Sequence, residues 1–321
     1  MVPEGTYVSA LVADIDQIFT GLHARRELIL PDLRAVGRLF ITTDIGGEAR
    51  GSRHVTYSFF VTASSAWSMV SDSIADIRRR HSLPARRGLE FKHRKRGGRA
   101  RVYREVAEVI GRIPSFLLTV AVRKDVPTLY GDQFIAEALE VPHLHGMKRD
   151  SVERLLTLAH TAGYLAAVLR APEQRTMWYV DRDKALQTKR MTHIACNTFQ
   201  QIQRDLVGHP PPELGFATEF SHCDDDSNVD LGFFLAVPDL FAGIVSKVLR
   251  DAESGDGRYD VGDEPAIPLV HLLAGQSVGM KHLTLVVEPG QPRFVSRVAT
   301  VSSSGGKLSR SIISRFDRQP G

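Results

Sequence analysis

Two apolar, β-rich runs in this chain stop on an aspartate: residues 37–43 (GRLFITT) before Asp44, and residues 176–180 (TMWYV) before Asp181. Runs of that length, rich in aromatic and β-branched residues, fit buried strands. A carboxylate at the end of such a strand must be solvated, paired or bound to a cation. Ile45, Gly46 and Gly47 break the first run, and residues 55–63 (VTYSFFVTA) follow, which predicts a hairpin with a Gly-rich loop. Residues 115–123, 214–221 and 283–287 predict further strands, the last followed by a polar tail. Helical periodicity fills the intervals. Trp67, Val70, Ile74 and Ile77 share one face of 64–80, and residues 151–169 form an amphipathic helix capped by Ser151. Residues 184–206 and 233–249 are also expected to be helical. This alternation predicts an α/β fold, a mixed sheet flanked by helices. In open α/β sheets, sites gather at the C-terminal ends of strands, where Asp44 and Asp181 lie.

With 321 residues, 43% of them hydrophobic, the chain can bury a large core without a disulfide or metal staple. Leu11, Ile15, Phe19 and Leu22 share a helical face, so residues 1–36 read as a helical N-terminal arm. Residues 37–250 read as the main domain and 251–321 as a C-terminal α+β extension packed on its core. Asp14, Asp16 and Arg25 interrupt the apolar content that a secretory signal needs. No run is expected to reach the ~20 apolar residues of a membrane span. Cys196 and Cys223 lack CxxC or zinc-finger spacing. These features favour a soluble, cytoplasmic protein with no membrane partner.

The net charge of +4 is mild, but its distribution is uneven. Between residues 78 and 104, Glu90 is the only acidic residue among many cations. Arg86, Arg87, Arg94, Lys95, Arg96, Arg99 and Arg101 are the candidates for contacts with nucleic acid, since such a segment attracts polyanions by releasing their counterions. A solvated basic loop is the competing reading.

Four acidic residues stand out by context: Asp44, Glu90, Asp181 and Asp239, the last inside an apolar helical stretch. Each has a plain alternative. A strand-end Asp can cap a helix or form a turn, Asp239 can belong to a helix start behind Pro238, and Glu90 can neutralise neighbouring arginines. Together they could hold Mg2+ or Mn2+, because converging carboxylates repel one another and favour oxygen-binding divalent cations. Two such ions activate water and stabilise the leaving oxygen in phosphodiester cleavage. Other groups read as ordinary: Asp183 as a helix cap, Asp224 to Asp226 as a solvated turn, His143 and His145 as loop residues. No P-loop pattern is present.

These four positions carry a family resemblance. The chain resembles the DUF 3800 family of ribonuclease H-like proteins, often found near mobile elements and defence loci. Thr43-Asp44-Ile45-Gly46-Gly47 stands where that family has a strand ending in Asp-Glu-Ser-Gly. Glu90-Phe91-Lys92 matches its Glu-x-Lys segment, Tyr179-Val180-Asp181 its later strand, and Asp239-Leu240-Phe241-Ala242-Gly243 its final helix. The resemblance spans roughly residues 37–250. It implies a ribonuclease H-like domain there, acting as a metal-dependent nuclease on DNA or RNA. It also implies association with other subunits of a defence or mobile-element system. The chain departs from the pattern at Ile45 and Gly46, and at Pro238, where a helix is expected to begin.

Two further readings stay open. A restriction-endonuclease-like nuclease would use Asp44 with Glu90-Phe91-Lys92, Lys92 lying near the attacking water. A catalytically degenerate subunit that binds nucleic acid or protein would keep the basic segment and lack the chemistry.

Overall fold

The computed structural model describes residues 9–34, 37–48, 51–83, 89, 99–140, 144–180, 186, 188–217, 229–253, 258–259, 267–275, 277–291, 293–304 and 307–313. The first β-rich run forms β1 (Arg38–Gly46) and the second forms β2 (His54–Ala63), antiparallel from Leu39↔Ala63 to Gly46↔Thr56. Gly47 sits in the turn at φ +79, where a Cβ would lie 2.3 Å from the His54 carbonyl oxygen, so no other residue fits. β3 (Ser115–Arg123) continues the meander on β2. On the free side of β1, β4 (Arg175–Val180) pairs in parallel, and β5 (Leu214–Ala217) pairs in parallel with β4.

Beyond β3 the sheet continues. β7 (Met280–Pro289) lies parallel to β3, followed by β8 (Phe294–Ser304), β9 (Lys307–Ile313) and the short β6 (Arg258–Tyr259), all antiparallel. Among the described residues the order is β5-β4-β1-β2-β3-β7-β8-β9-β6, one mixed sheet flanked by helices. The expected polar tail is therefore a correction, since it contains β8 and β9. Phe294, Ser296 and Val298 alternate toward the fold and are buried, while Ser296 and Arg297 within the run disguised the strand.

Strand alternation sends side chains into two cores. One side of the sheet buries Leu39, Ile41, Phe116 and Trp178 against α1 (Ala10–Ala24), α5 (Arg149–Leu169) and α6 (Lys189–Val207). Phe199 of α6 stacks on Trp178 at 5.5 Å, and Phe19 of α1 meets Phe116 edge-on at 5.3 Å. The other side buries Phe60, Leu117 and Val286 against α2 (Ser65–Arg80), α3 (Arg99–Arg112), α7 (Val229–Glu253) and α8 (Ile267–Ala274). Each large side chain removed from water contributes roughly 1.5–3 kcal/mol. The short α4 (Asp132–Glu140) adds Ile135 to the first core.

α7 corrects two expectations. Its segment Gly232–Asp251 is long and apolar enough to cross a membrane by length and composition, yet it is largely buried inside this fold. It serves as the core helix across β1 and β2, with Phe233, Val237, Leu240 and Phe241 buried. Nor does the helix begin at Pro238, which lies within it. A proline deprives the carbonyl four residues back of its donor. That carbonyl belongs to Phe234, and the Thr42 hydroxyl of β1 donates to it at 2.9 Å. A sheet residue thus supplies the missing hydrogen bond.

Candidate functional site

Asp44 stands opposite Ser58 near the end of β1. Phe40, Thr42, Asp44 and Gly46 alternate onto the α7 side of the sheet, and two contacts fix the helix over them. Thr42 reaches the Phe234 carbonyl at 2.9 Å, and Thr56, registered with Gly46, donates to the Ala242 carbonyl at 3.1 Å. Four strand residues span about 13 Å, and eight helical residues about 12 Å. The helix therefore runs alongside β1 in the same direction, and the midpoint at Asp44 falls beside Pro238 and Asp239. Asp239 precedes Ala242 by one turn and Ser246 by two, which places it on the stripe facing β1. The Ser246 hydroxyl meets that of Ser52 at 3.0 Å, just past the end of the strand. Asp44 and Asp239, 195 positions apart in the chain, are thereby brought to one junction of strand and helix, both partly buried and neither without a partner.

The residue before Asp44, Thr43, is registered with Val180, the residue before Asp181. Asp181 itself, Glu90, Lys92, Arg86, Arg87, Arg94, Lys95 and Arg96 lie outside the described residues. Arg99 opens α3 and Arg101 is exposed on it. Among the described residues no group of three or more His, Cys, Asp or Glu side chains is gathered as a metal site. The described part of the expected set is the pair Asp44 and Asp239, whose all-oxygen donors suit a hard divalent cation.

Sequence reasoning missed the row that leads to this pair. Phe40 stacks on Tyr179 at 5.9 Å and meets Trp67 at 5.6 Å, and Trp67 meets Phe234 at 5.5 Å. Burial raises the Tyr179 phenol above its usual range, while the nearby Arg38 charge pulls the other way. The available signal was the two-residue alternation of Arg38, Phe40, Thr42 and Asp44, hidden because Leu39, Phe40 and Ile41 run together as one apolar stretch and Thr42 and Thr43 are alike.

A cleft of about 440 Å³ opens on the opposite side of the sheet, lined by Tyr57, Lys124, Glu153 and Arg154 among others. Burial raises the Glu153 carboxyl above its usual range, and Thr128 donates a hydrogen bond to it. Thr128 Oγ1 also accepts from the backbone N–H groups of Tyr130 and Gly131, both at 3.1 Å. This network fastens the segment after β3 to α5. The buried His160 is held neutral, its pKa lowered to about 4 by desolvation, and it packs edge-on to Tyr130 at 5.4 Å. Burial pushes the Cys196 thiol up to about 11, the wrong direction for a nucleophile.

In comparisons with known proteins, the sequence matches no family model and no curated protein.

Proposed function

We propose that the chain is a metal-dependent nuclease with a ribonuclease H-like domain. What carries this reading is the course of α7 along β1, tied by Thr42 to Phe234 and by Thr56 to Ala242, with Asp44 on the strand and Asp239 on the helix between the two ties. Carboxylates from a strand and a helix on one junction supply oxygen donors of the kind a hard divalent cation takes. The strand arrangement supports it as well: three consecutive antiparallel strands, with two parallel strands added on the free edge of the first. Thr43, the residue before Asp44, is registered with Val180, the residue before Asp181, which agrees with this reading.

In this reading Asp44, Asp239, Asp181 and Glu90 hold Mg2+ or Mn2+. The ions, when bound, supply Lewis-acid activation of water and neutralise the leaving oxygen. The chain's own part is to hold carboxylates of several elements in place and to bring the phosphate backbone to them through Arg99, Arg101 and the basic residues before them. A cytoplasmic setting and partner subunits of a mobile-element or defence system belong to the same proposal.

The test is cleavage of single- and double-stranded DNA and RNA in Mg2+ or Mn2+, with EDTA as control. Asp44→Asn removes one negative ligand and is expected to lower the cleavage rate at least ~100-fold, comparable to losing a strongly stabilising group in a transition state. Asp181→Asn is expected to be as severe and Lys92→Ala mild. Full activity in Asp44→Asn overturns the proposal, and the reverse pattern for Asp181 and Lys92 favours the restriction-endonuclease-like use of Glu90-Phe91-Lys92.

A further inference from the structure

The sheet opens between β7 and β8. β7 is paired with β3 from its first residue, at Ser115↔Met280, but its pairing with β8 stops at Thr284↔Ala299. β8 goes on to Ser304 beside β9. Among the described residues, Met280 to Leu283 therefore have a strand on one side only. Along such a stretch every second residue directs its N–H and C=O toward the open side. A cleft of about 400 Å³ lies there. Leu22 and Leu28 at the end of α1 wall it with Leu283 on one face of the sheet, and Leu273 of α8 walls it with Met280 on the other. A cleft lined from both faces of one sheet passes between its strands, so it is a slot with apolar walls.

The charges at this slot do not balance. Glu27 lines it but is held by Arg25 through both carboxylate oxygens, at 2.8 and 3.1 Å. Arg26 also lines it, exposed, with its backbone at φ +59, a conformation uncommon for a residue with a side chain. It makes no ion pair among the described residues. Lys281 lies on the Leu283 side of β7 by neither strand face but its own alternation partner, two residues before it, and donates to the Ser277 carbonyl at 3.0 Å, a neutral group. On the other face His282 donates to the Leu273 carbonyl and is held neutral, its pKa lowered to about 4 by desolvation, although part of its surface opens on the slot. The carbonyls at the end of α1 are already engaged, Gly21 and His23 by the N–H groups of Arg25 and Arg26, and Leu22 by those of Glu27 and Leu28. Ile29, 63% exposed, adds apolar surface at the mouth.

We infer that the slot between β7 and β8 binds a small organic anion, one carboxylate on an apolar body. The body lies among Leu22, Leu28, Leu273 and Leu283, and the carboxylate meets Arg26 and Lys281. Small-molecule sites are usually apolar clefts of about 300–1,000 Å³ with a few placed polar groups. An anion is favoured over a cation of the same shape because the carboxylate on the wall already has its partner and the two cations do not. In sheet order the slot lies three strands from β1, and binding there is independent of any cleavage at Asp44.

The experiment titrates the full chain, in EDTA, with octanoate, octanol and octylamine, which share one apolar chain and differ in head group. Calorimetry is expected to show saturable binding of octanoate, tighter than octanol and at least ~10-fold tighter than octylamine, since two cations near the head group attract one and repel the other. Methyl NMR of the same samples is expected to show octanoate shifting the signals of Leu273 and Leu283. Arg26→Gln removes an exposed charge and is expected to weaken octanoate about 5-fold while leaving octanol unchanged. Lys281→Met keeps the apolar stem and is expected to add a similar loss. The comparison of head groups on the unaltered chain stands even if a variant fails to fold. Octylamine binding as tightly as octanoate, no saturable binding of octanoate, methyl shifts confined to other parts of the molecule, or equal octanoate affinity in Arg26→Gln overturns the assignment.

Discussion

A proline within a helix leaves a carbonyl one turn back without its donor, and α7 meets this with a hydroxyl from the sheet. Thr42 Oγ1 lies 2.9 Å from the Phe234 oxygen and 3.5 Å from that of Phe60. The bond ties the helix carrying Asp239 to the strand carrying Asp44. Thr42→Val keeps the shape and removes the donor, so the buried carbonyl is left unpaired, at a cost of about 1–3 kcal/mol. In a Pro238→Ala background the backbone N–H of residue 238 can return to Phe234, and the same Thr42→Val change is expected to cost less than half as much. Denaturant unfolding of the four proteins in this cycle measures the coupling. Equal penalties in the two backgrounds would show that Thr42 does not substitute for the missing backbone donor.

At the scale of elements, the spacing between β1 and α7 is set by a small residue. A Cβ on Gly46 would lie 2.8 Å from Thr56 Oγ1, 3.0 Å from Ala242 Cβ and 3.1 Å from the Ala242 backbone carbon. Gly46→Ala therefore pushes α7 outward by a few tenths of an ångström. The expected cost is about 1–3 kcal/mol for overpacking, together with a loss of cleavage beyond the unfolded fraction, since Asp239 moves with the helix. Ala242→Gly in the same chain is expected to restore part of both, and cleavage at the wild-type level in Gly46→Ala would separate the helix position from the chemistry. The elements themselves were legible from periodicity: the hairpin of 37–43 with 55–63, the strand at 176–180, and the helices of 64–80 and 151–169. Pro238 was misread because a local rule about helix interiors takes no account of a hydroxyl from a strand 196 positions away in sequence. The apolar stretch of α7 contains Asp239 and Lys247, yet as one helix it reaches the length of a span.

For the whole molecule, alternating strands and helices pointed to a mixed sheet flanked by helices, and the strand-end aspartates pointed to the C-terminal ends of its strands. What the sequence could not display is which distant residues meet. Asp44 and Asp239 come to one strand–helix junction only through the register of β1 with β2 and the course of α7 across both. The sheet also runs past the segment that periodicity marks as its core. β7 pairs in parallel with β3 from Ser115↔Met280 to Val122↔Val287, and Leu285, Val286 and Val287 are fully buried between the two cores. Val286 joins the core that holds α7, while Leu285 and Val287 join the one that holds α5. A strand sharing both cores cannot open without exposing each, so β7 and β3 should unfold as one cooperative unit. Native-state hydrogen exchange is expected to give the amides of Leu285, Val286 and Val287 protection within about tenfold of those of Leu118 and Val120, equivalent to roughly 1.4 kcal/mol. Exchange in β7 faster by several orders of magnitude than in β3 would instead make the C-terminal strands a separately opening layer on an independently stable sheet.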